Sequence, residues 1–269
     1  MSAPLNAAAF IAALKAEGLV VHEYRDWKGH TRSGSGRPWG PVHGVVMHHT
    51  ASGSDGIVEY CYTGSSALPG PLCHGVIDKK GEVWLVGYGR TNHAGGGDPD
   101  VLNAVKAESY MTSPPAPHEH EGSAGAVDGN KSFYGFECVN HGSGNDPWPK
   151  EQTTAMVKAA AAICRVHGWS AKSVIGHKEW SDWKNDPNGI AMPLFRVSVE
   201  QCLKSKAGVW PAAEEKSVAT AYTDVMRTDA VPVDTSLDQG GTWTAQTALS
   251  YLVEQVRLLK ADIEALKAK

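Results

Sequence analysis

The sequence is short of basic charge, of signal-like segments and of long apolar runs, and each shortage excludes a class of protein. A formal net charge of −4 over 269 residues leaves no electrostatic footprint for nucleic acid, which needs a basic bias. No segment approaches the length of a membrane-spanning run, so we expect no stable membrane insertion. The N-terminus lacks the charged-then-apolar pattern of a signal peptide, which predicts synthesis in the cytoplasm.

Cysteine is also scarce. The five cysteines form no short Cys-x-x-Cys pair, and their odd number argues against a disulfide framework and against a thiolate zinc site. Cys138 and Cys164 lie in apolar strand-like and helix-like segments, and we interpret them as small core residues. The sequence therefore predicts a reducing compartment of synthesis.

The apolar pattern of residues 1–205 predicts one mixed α/β domain. Apolar residues make up 42% of the chain, which is enough for a proper core. An alanine-rich stretch at 7–16 and an amphipathic segment at 149–166 predict helices, and Ser198 begins a capping-box pattern. A tight Lys-Lys-Gly connection at 79–81 predicts a hairpin, which favours a mixed central β-sheet flanked by helices. The strand-length apolar runs lie at 19–24, 44–49, 74–78, 82–87, 133–139 and 173–176.

The chain changes character after this domain. Residues 206–240 lose periodicity and are predicted to be a linker. Residues 241–269 carry a strict a/d heptad pattern with charged outer positions, which predicts a coiled-coil helix that joins copies of the chain into a homo-oligomer. The alternative is a single helix packed on the domain. The apolar heptad positions are Ala245, Leu249, Leu252, Val256, Leu259, Ile263 and Leu266.

A Gly- and Pro-rich insertion lies between Gly95 and Asn130. A loop of this length inside a compact domain is, in most proteins, either functional or disordered. Its His118 and His120 form a pair that could bind a metal ion, but a solvated, mobile polar loop is the favoured interpretation.

Histidines at the ends of predicted strands are the most informative residues. His48 and His49 end one β-branched run, and His177 follows another, with Asp186 nine residues later. Two imidazoles and a carboxylate form a three-ligand set that leaves a zinc position open for water. Only one of His48 and His49 is expected to face a metal, since neighbours on a strand point to opposite faces, and either could instead be structural. Asp186 could instead be a turn aspartate before Pro187. If the three side chains converge, the chain is a zinc hydrolase.

Two charged residues indicate what such a site could do. Glu137 lies inside the apolar run 133–139, where a carboxylate is costly to bury unless it is paired or functional. It is the candidate general base, and a buried salt-bridge partner is the alternative. Lys184 lies two residues before Asp186 and is a candidate for stabilising a developing oxyanion, although a lone lysine is ordinarily a surface residue.

Short motifs follow one another in a specific order and spacing along residues 40–205, although one such motif alone would be weak. They are Val46-Met47-His48-His49-Thr50-Ala51, His74-Gly75-Val76-Ile77-Asp78-Lys79-Lys80-Gly81-Glu82-Val83, His93-Ala94-Gly95, Gly135-Phe136-Glu137, Gly176-His177 and Lys184-Asn185-Asp186-Pro187. This ordered set resembles the zinc-dependent N-acetylmuramoyl-L-alanine amidases of the type-2 amidase and peptidoglycan-recognition-protein superfamily. The fold that the resemblance implies is a mixed β-sheet flanked by helices, with the zinc in a groove.

The resemblance also implies residue roles. The zinc ligands would be His48, His177 and Asp186, since the family uses the first histidine of the early strand. The catalytic residues would be Glu137 and Lys184.

Further assignments follow from the same resemblance. His74 and His93 are implied as substrate contacts in the groove that takes the glycan-linked stem peptide. Phage amidases of this group often carry a catalytic tyrosine where this chain has Cys73, so Glu137 is expected to carry more of the proton transfer. A signal-less amidase with an appended C-terminal module resembles a phage or prophage endolysin, made in the host cytoplasm and acting on the cell wall after release.

The expected activity is hydrolysis of the amide between N-acetylmuramic acid and L-alanine in bacterial peptidoglycan, with Zn²⁺ as cofactor. A non-catalytic peptidoglycan-recognition module is the alternative, but such modules lack part of the zinc set, which is complete in this chain. A third interpretation is a coiled-coil assembly factor with the α/β domain as a binding head. That interpretation leaves Glu137 and the ligand set unexplained.

Overall fold

The structure is a computed structural model that describes residues 2–33, 37–53 and 55–210. The predicted heptad helix at 241–269, and the predicted linker at 206–240 beyond its first residues, lie outside the described residues. Homo-oligomer formation through that helix therefore stays a prediction. Within the described ranges, no helix combines the length and the apolar content that crossing a bilayer requires.

A central sheet and a separate short pair contain the strands. In chain order they are β1 (Val21–Glu23), β2 (Gly44–His49), β3 (Gly75–Ile77), β4 (Val83–Leu85), β5 (Gly96–Gly97), β6 (Val127–Asp128), β7 (Phe133–Cys138) and β8 (Val174–Gly176). The central sheet has six strands in the order β1-β4-β3-β7-β2-β8, and β5 pairs with β6. In the central sheet the β3–β4 hairpin is antiparallel and the other neighbours are parallel. The predicted mixed sheet and its hairpin are therefore confirmed.

Helices cover both faces of this sheet. They are α1 (Ala7–Ala16), α2 (Ile57–Thr63), α3 (Pro99–Ala107), α4 (Gly129–Ser132), α5 (Lys150–His167), α6 (His177–Trp180) and α7 (Met192–Lys204). On one face, α1, α5 and α7 pack against Met47 and Phe136 in the main core. On the other face, α3 and Trp180 pack against Val46 and Ile175. Alternation along each strand thus separates two apolar cores.

The position of β2 in the sheet explains its composition and its importance. It lies between β7 and β8, both parallel to it, and it has the bounds that the sequence predicts. A central strand that is covered on both faces needs apolar side chains on both, which appear as a continuous run in the sequence. Because the three strands are parallel, their carboxyl ends lie side by side at one edge of the sheet, where open α/β sheets bind ligands.

One helix start was predicted wrongly. The helix expected to begin at Ser198 begins at Met192, and its first turn contains proline, whose missing N–H costs no hydrogen bond there. The Ser198 hydroxyl instead donates to the carbonyl oxygen of Leu194, at 3.3 Å, within the helix.

The insertion at 95–130 is held by specific contacts, in contrast to the solvated loop that the sequence favours. It contains α3, which the Asp98 side chain caps. The Asp98 carboxylate also accepts the backbone N–H of His118 at 2.8 Å, and the Glu121 carboxylate accepts the N–H of Gly96. An Asp-Pro pair ahead of apolar residues at helical spacing was the signal for this helix.

All five cysteines are buried with free thiols, as their odd number and spacing predict. Cys138 in β7 and Cys164 in α5 belong to the main core. Cys61 and Cys73 lie in a smaller core under α2. The reducing compartment of synthesis stays a prediction.

Candidate metal centre

Two histidines and an aspartate meet at the carboxyl edge of the sheet. His48 is the penultimate residue of β2, and His177 follows β8 directly as the first residue of α6. Since β2 and β8 are hydrogen-bonded neighbours, their ends bring the two imidazoles together. Asp186 arrives from the loop after α6, and its carboxylate contacts both rings. All three residues are buried.

The facing atoms of these side chains form a triangle. His48 Nδ1 lies 2.9 Å from His177 Nδ1, and Asp186 Oδ2 lies 3.0 Å from the first atom and 3.1 Å from the second. The ligands of a tetrahedral zinc ion, bound at about 2.0–2.1 Å, stand about 3.3 Å from one another. Among the residues that the structure describes, these three are the one group of His, Cys, Asp or Glu side chains with metal-binding spacing. We call this group the His-His-Asp triangle.

His49 lies outside the triangle. His48 is 1% exposed, whereas His49 is partly exposed and its Nδ1 accepts the backbone N–H of Asn188 at 3.0 Å. The alternation of side chains along β2 therefore turns one histidine of the pair toward His177 and the other away from it.

A chain of hydrogen bonds determines which nitrogen of His48 carries the proton. Burial, with the neighbouring His48 and His74, holds the pKa of His93 well below its usual range, so His93 is neutral. Its Nε2 lies 3.2 Å from the carbonyl oxygen of Phe133, which only accepts, so this nitrogen donates. The His93 Nδ1 is then an acceptor, 3.0 Å from His48 Nε2. His48 therefore donates from Nε2 and presents the lone pair of Nδ1 to the triangle.

His177 is oriented in the same way. Its Nε2 lies 3.2 Å from the carbonyl oxygen of Ala94, which leaves Nδ1 as the acceptor. The same oxygen accepts the indole N–H of Trp180 at 3.1 Å. Two residues along α6, the Glu179 carboxylate makes a bidentate ion pair with buried Arg196 of α7, at 2.7 and 2.8 Å. This pair fixes α6, and with it the start of the helix that carries His177.

These hydrogen bonds decide whether the triangle suits a metal ion. It contains two imidazole lone pairs and a carboxylate oxygen, all of them acceptors. Burial, together with His177, lowers the pKa of His48 to about 4, so an added proton is disfavoured near neutral pH. Acceptors this close repel one another unless a cation lies between them. The donor set therefore fits zinc, with two nitrogen ligands and one oxygen ligand.

Glu137 lies beside His48 on the neighbouring strand β7. The two residues are register partners in a parallel pair, so their side chains point to the same face. Glu137 Oε2 is buried and has no hydrogen-bond partner in the described part of the protein, which a purely structural salt-bridge role leaves unexplained. Burial, with smaller contributions from Cys61 and Asp186, raises the pKa of Glu137 well above its usual range. A carboxylate in this position can take a proton from a water molecule at the triangle.

A cleft of about 690 Å³ opens beside the triangle, with His177 in its wall. This volume is in the range of small-molecule sites. Lys184 is exposed and lines the cleft, and His93 lines it too. The structure therefore brings these two predicted site residues to the cleft. Other residues that line it include Arg37, Leu68, Arg90, Glu121, Ser123 and Trp183.

His74 is not among the residues that line this cleft. It is buried, its Nδ1 accepts the N–H of Gly135 at 3.0 Å, and its Nε2 donates to the carbonyl oxygen of Gly89 at 2.9 Å. Burial lowers the pKa of His74 to about 4, so the ring is neutral and both nitrogens are used by the backbone. These bonds join β7 to the segment after β4 through His74, and the substrate contact that the resemblance implies for this residue stays a prediction.

Two residues that position His93 were not anticipated from the sequence. The side-chain oxygen of Asn130 accepts three consecutive backbone N–H groups, from residues 93–95, at 2.8, 2.7 and 3.2 Å. A Cβ atom at Gly135 would lie 2.3 Å from His93 Nδ1, so only glycine leaves room for the ring. Their roles toward His93 have no local signal, because each residue acts on a segment far away in the sequence.

A comparison with known protein families identifies the family to which the chain belongs. The family model Amidase_2, described as N-acetylmuramoyl-L-alanine amidase, matches residues 38–189. The match covers more than half of the chain and includes the whole triangle and Glu137, and the chain belongs to this family. No curated protein matches the chain.

Several solved structures are similar to this one at low sequence identity. The Ph2119 endolysin from the Thermus scotoductus MAT2119 bacteriophage Ph2119 is 16% identical, with a TM-score of 0.42, over 66% of this chain and 98% of that one. The amidase AmiD from E. coli, in complex with a muramyl-peptide substrate, is 16% identical, with a TM-score of 0.39, over 68% and 64%. Drosophila peptidoglycan recognition protein SD is 14% identical, with a TM-score of 0.38, over 66% and 94%.

Proposed function

We propose that the protein is a zinc-dependent peptidoglycan hydrolase that cleaves the amide between N-acetylmuramic acid and L-alanine. The observation that carries the proposal is the His-His-Asp triangle beside Glu137, whose buried Oε2 has no hydrogen-bond partner among the described residues. Membership of the N-acetylmuramoyl-L-alanine amidase family supports the choice of bond and substrate. The cleft beside the triangle supports a substrate larger than a single amide group.

Each residue of the site has its own role in the proposed reaction. His48 and His177, through Nδ1, and Asp186 would hold the zinc ion, which when bound supplies Lewis acidity that activates water and polarises an amide carbonyl. Glu137 accepts the proton of the attacking water and passes it to the leaving amine nitrogen. The ammonium group of Lys184 stabilises negative charge that develops on the carbonyl oxygen.

Cys73 supports a central role for Glu137, because it occupies the position at which similar phage amidases often carry a catalytic tyrosine. It is buried in the small core under α2. Burial raises the pKa of its thiol well above the usual range, so the thiol is a poor proton donor or acceptor at neutral pH. Glu137, with its buried Oε2 beside the triangle, then carries the proton transfer.

Analysis of the products tests this function. Digestion of purified cell walls by the full-length protein is expected to release new alanine N-termini without new sugar reducing ends. Reducing ends in place of N-termini would identify a glycosidase and reject the proposal. Binding to cell walls with neither product would establish the non-catalytic recognition module instead.

The hydrogen bond from His48 to His93 gives a separate prediction about metal affinity. Replacing His93 by alanine removes the acceptor that holds the His48 proton on Nε2, and loss of such a partner is expected to weaken zinc binding by about 10- to 100-fold. The zinc dissociation constant, measured by competition with a chromophoric chelator, checks this.

Two further variants serve as controls for that measurement. His93→Asn places a side-chain oxygen near the former Nδ1 and is expected to recover much of the affinity. His118→Ala, in the insertion and outside the cleft lining, is expected to leave the affinity unchanged. Equal zinc affinity in the wild type and His93→Ala would show that the hydrogen bond does not tune the site.

The biological setting is a proposal that rests on the sequence. A heptad pattern at 241–269 follows the amidase domain in the sequence. This order supports our proposal of an endolysin of a phage or prophage, made in the host cytoplasm and acting on the cell wall after release.

A further inference from the structure

Trp183 differs from the other residues of the cleft because its large apolar side chain is exposed to solvent. It is 69% exposed, it lines the cleft, and it precedes Lys184 in the loop that ends at Asp186. Trp183 has no role in the proposed steps of hydrolysis. An exposed indole at the wall of a binding cleft offers a flat apolar surface to a ligand.

The indole is fixed in place by the insertion. The imidazole of His120 stacks on it, with the ring centroids 3.4 Å apart and the planes at 13°. His120 is held in turn by Asp182, whose Oδ1 lies 2.9 Å from His120 Nδ1. The backbone N–H of Asp182 also donates to the carbonyl oxygen of Glu119, at 3.3 Å. One face of the indole is thus covered by the imidazole, and the opposite face is the exposed one.

The groups around Trp183 favour one kind of ligand. Glu121, Ser123 and Ser181 line the same cleft, and Asp182 adjoins the indole in the chain. These side chains supply hydrogen-bond acceptors for hydroxyl groups of a ligand. A pyranose ring matches this setting, since it presents C–H groups on its face and hydroxyl donors around its rim.

The position of Trp183 relative to the scissile bond also favours a sugar ring as its ligand. Trp183 and His177 of the triangle line the same cleft, so a ligand on the indole lies in the cleft beside the triangle. On the peptide side of that bond, the nearest side chain is the methyl group of alanine, which offers little flat surface. On the other side, the lactyl ether group joins the carbonyl to the sugar ring, which is the first flat surface with C–H groups on that side.

We propose that Trp183, braced by His120, is the platform on which a sugar ring of the glycan strand stacks next to the scissile amide. This inference rests on the proposed function and adds the orientation of the substrate, with the glycan over the loop 181–184. It also gives the insertion a role, because the insertion supplies the imidazole that holds the platform.

Binding measurements with the two halves of the substrate test the platform. The probes are peptide-free oligosaccharides of alternating N-acetylglucosamine and N-acetylmuramic acid, and the free stem peptide L-Ala-γ-D-Glu-L-Lys. Trp183→Ala in the full-length protein is expected to weaken oligosaccharide binding about tenfold, the effect of losing one ring-on-ring contact, and to leave peptide binding within about twofold. Trp183→Phe keeps a flat ring and is expected to retain most of the affinity.

Two more variants separate the platform from general effects. His120→Ala removes the brace and is expected to weaken oligosaccharide binding by less than Trp183→Ala does. Tyr60→Ala removes an exposed aromatic ring outside the cleft lining and is expected to change nothing. Equal loss of both probes, loss of the peptide alone, or no oligosaccharide binding by the wild type at millimolar concentration would overturn the platform.

Failure of the Trp183 platform can be distinguished from failure of the proposed amidase function. If the wild type releases alanine N-termini and Trp183→Ala binds oligosaccharide normally, the amidase assignment stands and the platform is wrong. If no N-termini are released, the assignment fails, and the oligosaccharide titration still reports whether Trp183 binds sugar.

Discussion

Replacing His177 by alanine is expected to remove bound zinc and amide hydrolysis together. The Nδ1 of His177 is one corner of a triangle with sides of 2.9, 3.0 and 3.1 Å, and two ligands alone hold a zinc ion poorly. The zinc content of the purified full-length protein is expected to fall from about one ion per chain to below about a tenth. Release of alanine N-termini from cell walls is expected to fall by at least about 10³-fold.

The neighbouring histidine of β2 provides a matched control for that result. His49 has the same chemistry one residue away from His48, but its Nδ1 bonds to the backbone of Asn188 and it is not part of the triangle. His49→Ala is therefore expected to keep about one zinc per chain. Stoichiometric zinc in His177→Ala, or loss of zinc in His49→Ala, would contradict the assignment of ligands.

Replacing Glu137 by glutamine is expected to stop turnover while zinc stays bound. The amide has the shape of the carboxylate but cannot accept a proton, and loss of a general base typically lowers the rate by about 10²- to 10⁴-fold. The triangle itself is untouched, so zinc content is expected to remain near one ion per chain. Metal analysis and the rate of N-terminus release, measured on the same preparation, check both parts of the result.

A stability measurement distinguishes catalytic loss from misfolding in this variant. Glu137 Oε2 is buried and has no hydrogen-bond partner within residues 2–33, 37–53 and 55–210, which is costly for a charged group. A neutral side chain of the same shape is therefore not expected to lower the unfolding temperature. Glu151→Gln, which neutralises an exposed carboxylate outside the cleft lining, is the control and is expected to retain hydrolysis. A Glu137→Gln enzyme within tenfold of wild-type activity would show that the proton moves by another route.

The elements that the sequence predicts best are those with the strongest patterns. The bounds of β2 agree with the prediction because a central strand needs apolar side chains on both faces. The long helix α5, predicted at 149–166, runs over Lys150–His167, since its stripe of buried residues spans several turns. In contrast, α2 and α3 are short and were not predicted, and the capping pattern at Ser198 lies inside α7.

In the site, too, the sequence identified some features and could not identify others. The sequence pointed to His48, His177 and Asp186 through their places at strand ends and in the loop beyond. It could not choose between His48 and His49, because that choice depends on which face of β2 is turned toward the neighbouring strand end. It also could not show that the ring nitrogens of His74 are bonded to the backbone of Gly135 and Gly89.

By itself the sequence determined the kind of chemistry: the residue types, their order, and the mixed sheet that holds them. Those properties are local, because they depend on side-chain periodicity and on donor atoms within short segments. Tertiary structure decided the rest, namely that Phe133 and His93 hold the His48 proton on Nε2 and that His120 of the insertion braces Trp183. These contacts join segments many residues apart, and their geometry exists only once the chain has packed.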